Sequence, residues 1–213
     1  MTRHAGTLTE ALADPRTRLG AGVAVLLATA GAVRRDRVGP WEARAFLAVN
    51  GLPDGLYPPA WVVMQAGALG AVPAAAATAW RAGDGELAVR LLLGGTGAWA
   101  FSKLVKQAVR RPRPAALLPG VRGRGREAAG LGYLSGHAAV AVALGVAALP
   151  RLGPAARALT LTAMPLVGLT RVYVGAHLPL DIAGGAALGL AADAAAGLIT
   201  SSRAAGRKAR AGR

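Results

Sequence analysis

Apolar residues run along this chain in six long stretches, at about Leu19–Val33, Tyr57–Trp80, Glu86–Val109, Tyr133–Leu149, Ala155–Val174 and Pro179–Thr200. A helix crosses a bilayer with roughly 20 mostly apolar residues, and five of the stretches approach or exceed that length. The first is shorter, with fifteen residues between Arg18 and Arg34. Arginines at both ends can snorkel to the interfaces, which makes a short span workable. A signal peptide is the rival for this stretch, because Ala28, Ala30 and Ala32 could form a small-residue cleavage site. Arg34 and Arg35 follow at once and favour the span. No long-period repeat and no Ser- or Pro-rich linker divides the chain. The pattern predicts an all-α fold, an integral membrane bundle of six transmembrane helices. Residues 19–200 form the six-span domain, between an N-terminal segment (1–18) and a basic tail (201–213), both cytoplasmic.

Shorter patterns refine this. Ala45, Phe46, Val49 and Leu52 fall on one helical stripe, which predicts an interfacial helix lying on the membrane before the second span. Gly185 and Gly189 form a small-xxx-small pair in the last span, and Gly94, Gly95 and Gly97 thin the third. Close packing accounts for all of them.

Composition narrows the field further. The 213 residues are 54% hydrophobic and 16% charged, against about 25% charged in soluble domains. Disorder is excluded by the apolar content. Lys and Arg total 25 against 10 acids, a net charge of +15. Nucleic-acid binders carry such charge, but not with apolar runs this long, so no nucleic-acid partner is expected. The chain has no Cys and three His, which excludes disulfides and leaves little for a metal cluster. No metal or cofactor is predicted.

Lys and Arg in the short loops should set orientation, yet the count is ambiguous, even slightly adverse. With a cytoplasmic N-terminus, the outside receives Arg34, Arg35, Arg37 and Arg44 and a dense basic loop from Arg110 to Arg126. An outer loop so basic asks for a reason such as anion binding.

Three clusters supply one. Lys106, Arg110, Arg111, Pro112, Arg113 and Pro114 end the third span. Ser135, Gly136 and His137 open the fourth. Thr170, Arg171, His177 and Asp181 lie around the turn between the fifth and sixth. In helices of alternating direction, all three face the same compartment. Lys106 and Arg113 are seven residues apart, so both project to one face if the helix persists; Pro112 and Pro114 oppose that persistence. Arg171 adds a third cation, and Arg grips phosphate oxygens bidentately. Ser135 and Gly136 sit at an expected helix N-terminus, where free amides and the dipole favour a phosphate. Asp181 lies one turn after His177 and can orient its ring, the base-plus-orienter half of a nucleophile constellation. His137 is a second imidazole, available as general acid.

Each residue alone has a plainer reading. Charged residues at span ends anchor at interfaces, a membrane His can simply pack, and Asp181 can simply cap a helix. Tyr133 and Tyr173, beside the second and third clusters, are interface anchors as readily as site residues. Asp193 lies about 18 Å along the last span from Asp181, where a polar helix–helix contact is the expected role. Arg122, Arg124 and Arg126 fit a diphosphate or anionic headgroups equally well. Only the joint occurrence of two His, one Asp, one Lys and two Arg points to phosphate.

The run Lys106-x6-Arg113-Pro114, Ser135-Gly136-His137 and Arg171-x5-His177-x3-Asp181 resembles the three-part signature of the type 2 phosphatidic acid phosphatase superfamily, which includes membrane lipid phosphatases and soluble vanadium haloperoxidases. Leu134 stands where that family usually has Pro, and Thr170 where it usually has Ser. Neither departure removes a charged group. The resemblance implies a metal-independent phosphatase whose site faces outward from the cytoplasm in a multi-pass cell-membrane protein. By analogy His177 attacks phosphorus to give a phosphohistidine, Asp181 supports it, and His137 protonates the leaving group and then activates water. Lys106, Arg113, Ser135, Gly136 and Arg171 would hold the phosphoryl oxygens. The expected partner is a lipid phosphate or diphosphate within the membrane, such as a polyprenyl diphosphate or phosphatidic acid. The alternatives are a non-catalytic transporter or lipid-phosphate binder and a vanadate-dependent haloperoxidase. Two imidazoles are more than binding needs, and six spans in so small a chain oppose the haloperoxidase. Oligomeric state is not legible in the sequence.

Overall fold

The structure is a computed structural model that describes residues 14–33, 37–126 and 129–211, with side chains to Ser202. Residues 1–13, Arg34, Arg35 and the side chains of the basic tail beyond Ser202 lie outside the described residues, and so do the expectations placed on them. The described residues are helical, without strands. They form α1 (Pro15–Val33), α2 (Pro40–Asn50), α3 (Tyr57–Gln65), α4 (Ala71–Arg81), α5 (Gly85–Val109), a single turn α6 (Pro114–Leu117), α7 (Gly136–Ala148), α8 (Pro154–Tyr173) and α9 (Pro179–Ala211).

Helix starts follow local chemistry. Asp84 caps α5 by accepting from the Leu87 N–H at 2.9 Å, and Ser135 caps α7 by accepting from the Ala138 N–H. Prolines open α2 and α8, where the missing donor costs nothing. The stretch expected as one span over Tyr57–Trp80 is instead two helices, α3 and α4, broken over 66–70. Pro73 explains part of the break, because it would clash with the carbonyl one turn earlier in a continuous helix. Gly67 explains the rest. It lies so close to α7 that a Cβ would meet the His137 carbonyl and the Val167 side chain.

The helix α9 is the axis of the bundle and packs along α1, α7 and α5. Its part from Pro179 to Ser202 is long and apolar enough to cross a membrane by itself. Small residues let the backbones approach: a Cβ on Gly185 or Gly189 would fall on the Ser135 or Ala139 carbonyl of α7, and one on Gly22 of α1 would lie 2.8 Å from the Ala187 carbonyl. The Phe46 and Val49 part of the stripe on α2 turns toward protein, while Ala45 and Leu52 are exposed. Phe46 is fully buried against Val172 and Leu178, while Trp41 on the same helix is exposed. Outward faces of the bundle expose Leu27, Val62, Trp80, Leu104 and Leu159, more apolar surface than water favours. Near the middle of α9, buried Asp193 accepts two Arg90 nitrogens at 2.8 Å, with Arg18 at 3.7 Å. The expected polar helix–helix contact is there, as an ion pair.

Gly189→Ala forces a Cβ into a backbone carbonyl and should cost about 1–3 kcal/mol through overpacking. Gly97→Ala, where a Cβ meets open space, should gain up to about 1 kcal/mol from helix propensity. Thermal unfolding of both variants in detergent will show opposite shifts.

Candidate active site

The end of α5 delivers the first cluster. Arg110 takes a left-handed conformation (φ 57°) and its N–H closes the helix on the Lys106 carbonyl. Pro112 and Pro114 then keep the chain extended, so Lys106 and Arg113 do not share a helix face. Arg113 reaches the site along that extended segment instead. The Lys106 ammonium donates to the carbonyls of Leu131 and Gly132 at 3.1 Å and of Leu134 at 2.6 Å. It stitches the returning loop to α5. An ammonium has three protons, so these contacts use its hydrogen-bonding capacity and leave its charge.

Ser135 is fully buried. Besides capping α7, it donates its own N–H to the Asp181 carbonyl at 2.9 Å, which fixes the α7 N-terminus against that of α9. Gly136 opens the helix against Ser102, whose Oγ would lie 3.2 Å from an added Cβ. The half-buried His137 follows in the first turn, within electrostatic reach of Arg171, Arg113 and Lys106.

The α8–α9 turn folds back on itself. The Arg171 carbonyl accepts from the N–H groups of both Ala176 and His177, at 3.0 and 3.2 Å, and Gly175 supplies the positive φ of 77° that the reversal needs. His177 is buried, with its Nε2 3.0 Å from an Arg113 NH1. A guanidinium only donates, so Nε2 accepts and Nδ1 carries the proton. That Nδ1 faces the Asp181 carboxylate at 3.6 Å, beyond hydrogen-bond length. Burial pushes the imidazole down to about 3, the pull of Asp181 opposing it without reversing it; the ring is neutral, with a lone pair at Nε2.

Asp181 is itself fully buried and uses both oxygens. One accepts the Leu178 N–H at 2.8 Å, capping α9, and the other accepts Arg111 at 2.8 Å. Arg111 is also fully buried and bonds Glu42 of α2 through both terminal nitrogens, at 3.1 and 2.8 Å. Burial works against its charge, but the hydrogen bonds and charges of Glu42 and Asp181 prevail and hold its pKa above the usual value. Glu42 accepts the Leu180 N–H as well. Sequence reasoning missed Glu42, and it counted Arg111 in the basic cluster without assigning it to the site. A signal existed: Glu42 is one turn from Phe46 on the apolar stripe of α2, an odd place for a solvated carboxylate.

Arg171 is the cation least satisfied by protein. Its NH1 meets the Met64 sulfur, a weak acceptor, at 3.1 Å, and its buried Nε–H finds no acceptor among the described residues. Arg113 donates to the carbonyls of Ala176 and Ala129 besides His177, and burial lowers its pKa. The neighbouring basic loop is different. Arg124 donates to Asp54 and to the carbonyls of Asn50, Leu52 and Tyr173, and stacks on the Tyr173 ring at 4.2 Å. Tyr173 bonds the Pro53 carbonyl, and Tyr133 bonds Thr29 and the Leu26 carbonyl. These three hold the scaffold. Arg122 and Arg126 are exposed.

Three cations, two imidazoles and an oriented carboxylate thus converge from α5, α7 and the α8–α9 turn. The PAP2 superfamily model matches residues 87–203, more than half of the chain and every residue of the three clusters. The chain belongs to the PAP2 superfamily. Its fold is similar to that of Aquifex aeolicus LpxE, with a TM-score of 0.66 at 20% identity over 72% of this chain and 93% of that one. It is also similar to a transmembrane PAP2-type phosphatidylglycerolphosphate phosphatase from Bacillus subtilis, with a TM-score of 0.63 at 21% identity over 85% and 96% of the two chains. Among curated proteins none matches. The PAP2 match begins after α4, so Glu42, which holds Arg111, lies outside it.

Removing one partner of a buried ion pair strands the others and costs about 3–5 kcal/mol. Arg111→Met should therefore destabilise the protein by that much, whereas Arg126→Met at the exposed loop should stay within about 0.5 kcal/mol of the parent. Denaturant or thermal unfolding in detergent checks both.

Proposed function

We propose that this PAP2 protein is an integral membrane lipid phosphatase of six spans, with both termini cytoplasmic and the site on the opposite face. The expected substrates are phosphomonoesters or diphosphates of lipids, such as phosphatidic acid or a polyprenyl diphosphate. One observation carries the reading: a neutral buried His177 whose Nε2 lone pair meets Arg113, beside an Arg171 guanidinium that lacks a full set of acceptors. A phosphoryl group between the two arginines would take up their unpaired Nε–H groups and draw the Arg113 NH1 off Nε2, freeing that lone pair for attack. The exposed apolar belt and the likeness in fold to a transmembrane lipid phosphatase support a membrane setting.

In this mechanism Nε2 attacks phosphorus and the lipid oxygen departs, taking a proton from His137. The result is a phosphohistidine, with Asp181 stabilising the charge left on the ring through Nδ1. His137, now neutral, takes a proton from water, which attacks phosphorus and returns His177 to its starting state with release of phosphate. Arg113 and Arg171 hold the equatorial oxygens and the α7 N-terminus adds its dipole. Lys106 contributes charge, its protons being bound to carbonyls. A divalent ion would sit against this cationic group and has Asp181 alone as carboxylate, itself engaged, so turnover is expected without metal.

The two histidines should fail differently. His177→Ala abolishes the phosphoenzyme with every substrate. His137→Ala loses about 10²–10⁴-fold on a lipid phosphomonoester and much less on an activated aryl phosphate, whose leaving oxygen needs little protonation. Phosphate release and acid-quenched trapping, with chelator present throughout, check both. Trapping by His177→Ala but not by His137→Ala would reverse the roles, and wild-type turnover lost in chelator and restored by magnesium would overturn the metal-free mechanism. Near wild-type rates in both variants would leave a binding protein.

The pH dependence of the first step follows from His177. Its folded pKa is depressed to about 3, so the nucleophilic neutral form persists as pH falls. The rate of phosphoenzyme formation in rapid-quench experiments should not decline through about pH 6.5, where an ordinary imidazole protonates.

A further inference from the structure

Three ionised groups stand behind His177, on the Nδ1 side of its ring: Asp181, Arg111 and Glu42. An Arg111–Asp181 pair alone would be neutral. Glu42, only 1% exposed, buries a further negative charge, and folding disfavours the burial of an excess charge. A carbonyl or a neutral amide could satisfy the rest of Arg111 without it, so the carboxylate calls for another reason. The cations on the other side of the ring do not supply one. Lys106, Arg113 and Arg171 make no hydrogen bond to either carboxylate and direct their donors to carbonyls, His177 and Met64. Glu42 is also firmly placed. It accepts both terminal nitrogens of Arg111 at 3.1 and 2.8 Å and the Leu180 N–H at 3.0 Å, and Phe46, one turn further along α2, packs against Leu178. Leu178 precedes α9 and has no side-chain acceptor, so the first amides are met by Asp181 at Leu178 and by Glu42 at Leu180. One residue of α2 thus holds both the guanidinium and the helix end that place Asp181.

We propose that Glu42 is a positioning residue for the reaction: it offsets the charge of Arg111, so that Asp181 presents an undiminished negative charge to the His177 ring. This rests on the phosphatase reading and adds to it a residue of α2, outside the PAP2 match. When Nε2 bonds phosphorus and the P–O bond to the lipid breaks, the electron pair leaves with the lipid oxygen. The ring keeps its Nδ1 proton and becomes cationic. Glu42, Arg111 and Asp181 together carry one negative charge, which favours that state. In the second step water attacks, the P–N bond breaks and its electron pair returns to Nε2, so the ring charge is lost. Glu42 therefore aids formation of the phosphoenzyme and not its hydrolysis. Without the Glu42 charge, Arg111 would cancel Asp181, and its released nitrogen would compete with Nδ1 for the Asp181 oxygens.

Glu42→Gln keeps the shape and the acceptor for Leu180 while removing the charge. In rapid-quench experiments with radiolabelled dioleoyl phosphatidic acid in mixed micelles, it should slow phosphoenzyme formation about tenfold, the order expected of one unit charge several ångströms away at an effective dielectric of about 20. Hydrolysis of the phosphoenzyme should stay at least as fast as in the parent. Glu42→Asp, which keeps the charge at shorter reach, should lower the unfolding temperature as Glu42→Gln does, yet form phosphoenzyme within about threefold of the parent rate. Glu86→Gln, at the exposed start of α5, should change neither step. A second arm needs no turnover. The chain has three histidines, so the His177 Nδ1–H resonance is assigned by its absence from His177→Ala, and Glu42→Gln should move it while those of His137 stay. Equal slowing of both steps in Glu42→Gln, slowing in Glu42→Asp as large as in Glu42→Gln, or an unmoved Nδ1–H resonance would overturn the assignment. Should the wild type form no phosphoenzyme, the reaction reading fails, while the resonance still decides whether Glu42 acts on His177.

Discussion

The architecture of the site depends on one buried carboxylate. Asp181 sits at the N-terminus of α9, where one oxygen accepts a helix amide and the other accepts Arg111. An isolated carboxylate so deeply buried would cost several kcal/mol. Here the positive end of the α9 dipole, a backbone N–H and a guanidinium offset that cost together. Arg111 could instead clamp Asp181 with both nitrogens, but Glu42 takes two bonds from it and leaves Asp181 one. The Asp181 oxygen that accepts the Leu178 amide is thereby left turned toward His177 Nδ1. Three elements far apart in sequence, α2, the segment after α5 and the head of α9, meet in this triad, and His177 is oriented by its far side.

Much of this was legible in the sequence because it is local. Residues four apart put His177 and Asp181 on one turn, and Ser135 before Gly136 announces a capped helix. The three clusters were brought to one end by helix alternation alone, and the structure brings them together through the Arg113–His177 and Ser135–Asp181 contacts. What could not be read is tertiary. Nothing in the spacing says that Glu42 would reach Arg111 across 69 residues. Nothing in the apolar stretch at Tyr57–Trp80 says that α7 would press against Gly67, where Pro73 alone marks a weak point. The stripe of α2 is amphipathic in the sequence, but periodicity cannot tell whether an apolar face meets lipid or protein.

Cationic residues at the site divide into those that bond and those that supply field. Lys106 resembles a phosphate ligand in sequence, yet its three protons go to loop carbonyls. In the mechanism proposed above its charge acts on the phosphoryl group through space, while direct donation falls to Arg113 and Arg171. Such a division suits turnover. A site in which every cation bonded the phosphate directly would hold inorganic phosphate as tightly as the transition state, and only interactions stronger in the transition state raise the rate.

The same accounting resolves the adverse orientation count. Charge in the Arg110–Arg126 loop opposes placing it outside if all six arginines are treated as free cations. They are not equivalent. Arg111 is neutralised inside by Glu42 and Asp181, Arg124 is bound to Asp54 and stacked on Tyr173, and Arg113 is turned into the site. Arg110, Arg122 and Arg126 remain exposed, and the C-terminal tail alone, on the opposite side in the proposed orientation, carries five basic residues from Arg203 to Arg213. Once half of the loop's charge is assigned to folding and chemistry, fewer of its cations count against an outside placement. An outward-facing site and a cytoplasmic tail are then compatible with the charge distribution, because half of the loop's cations are consumed by the fold and the site.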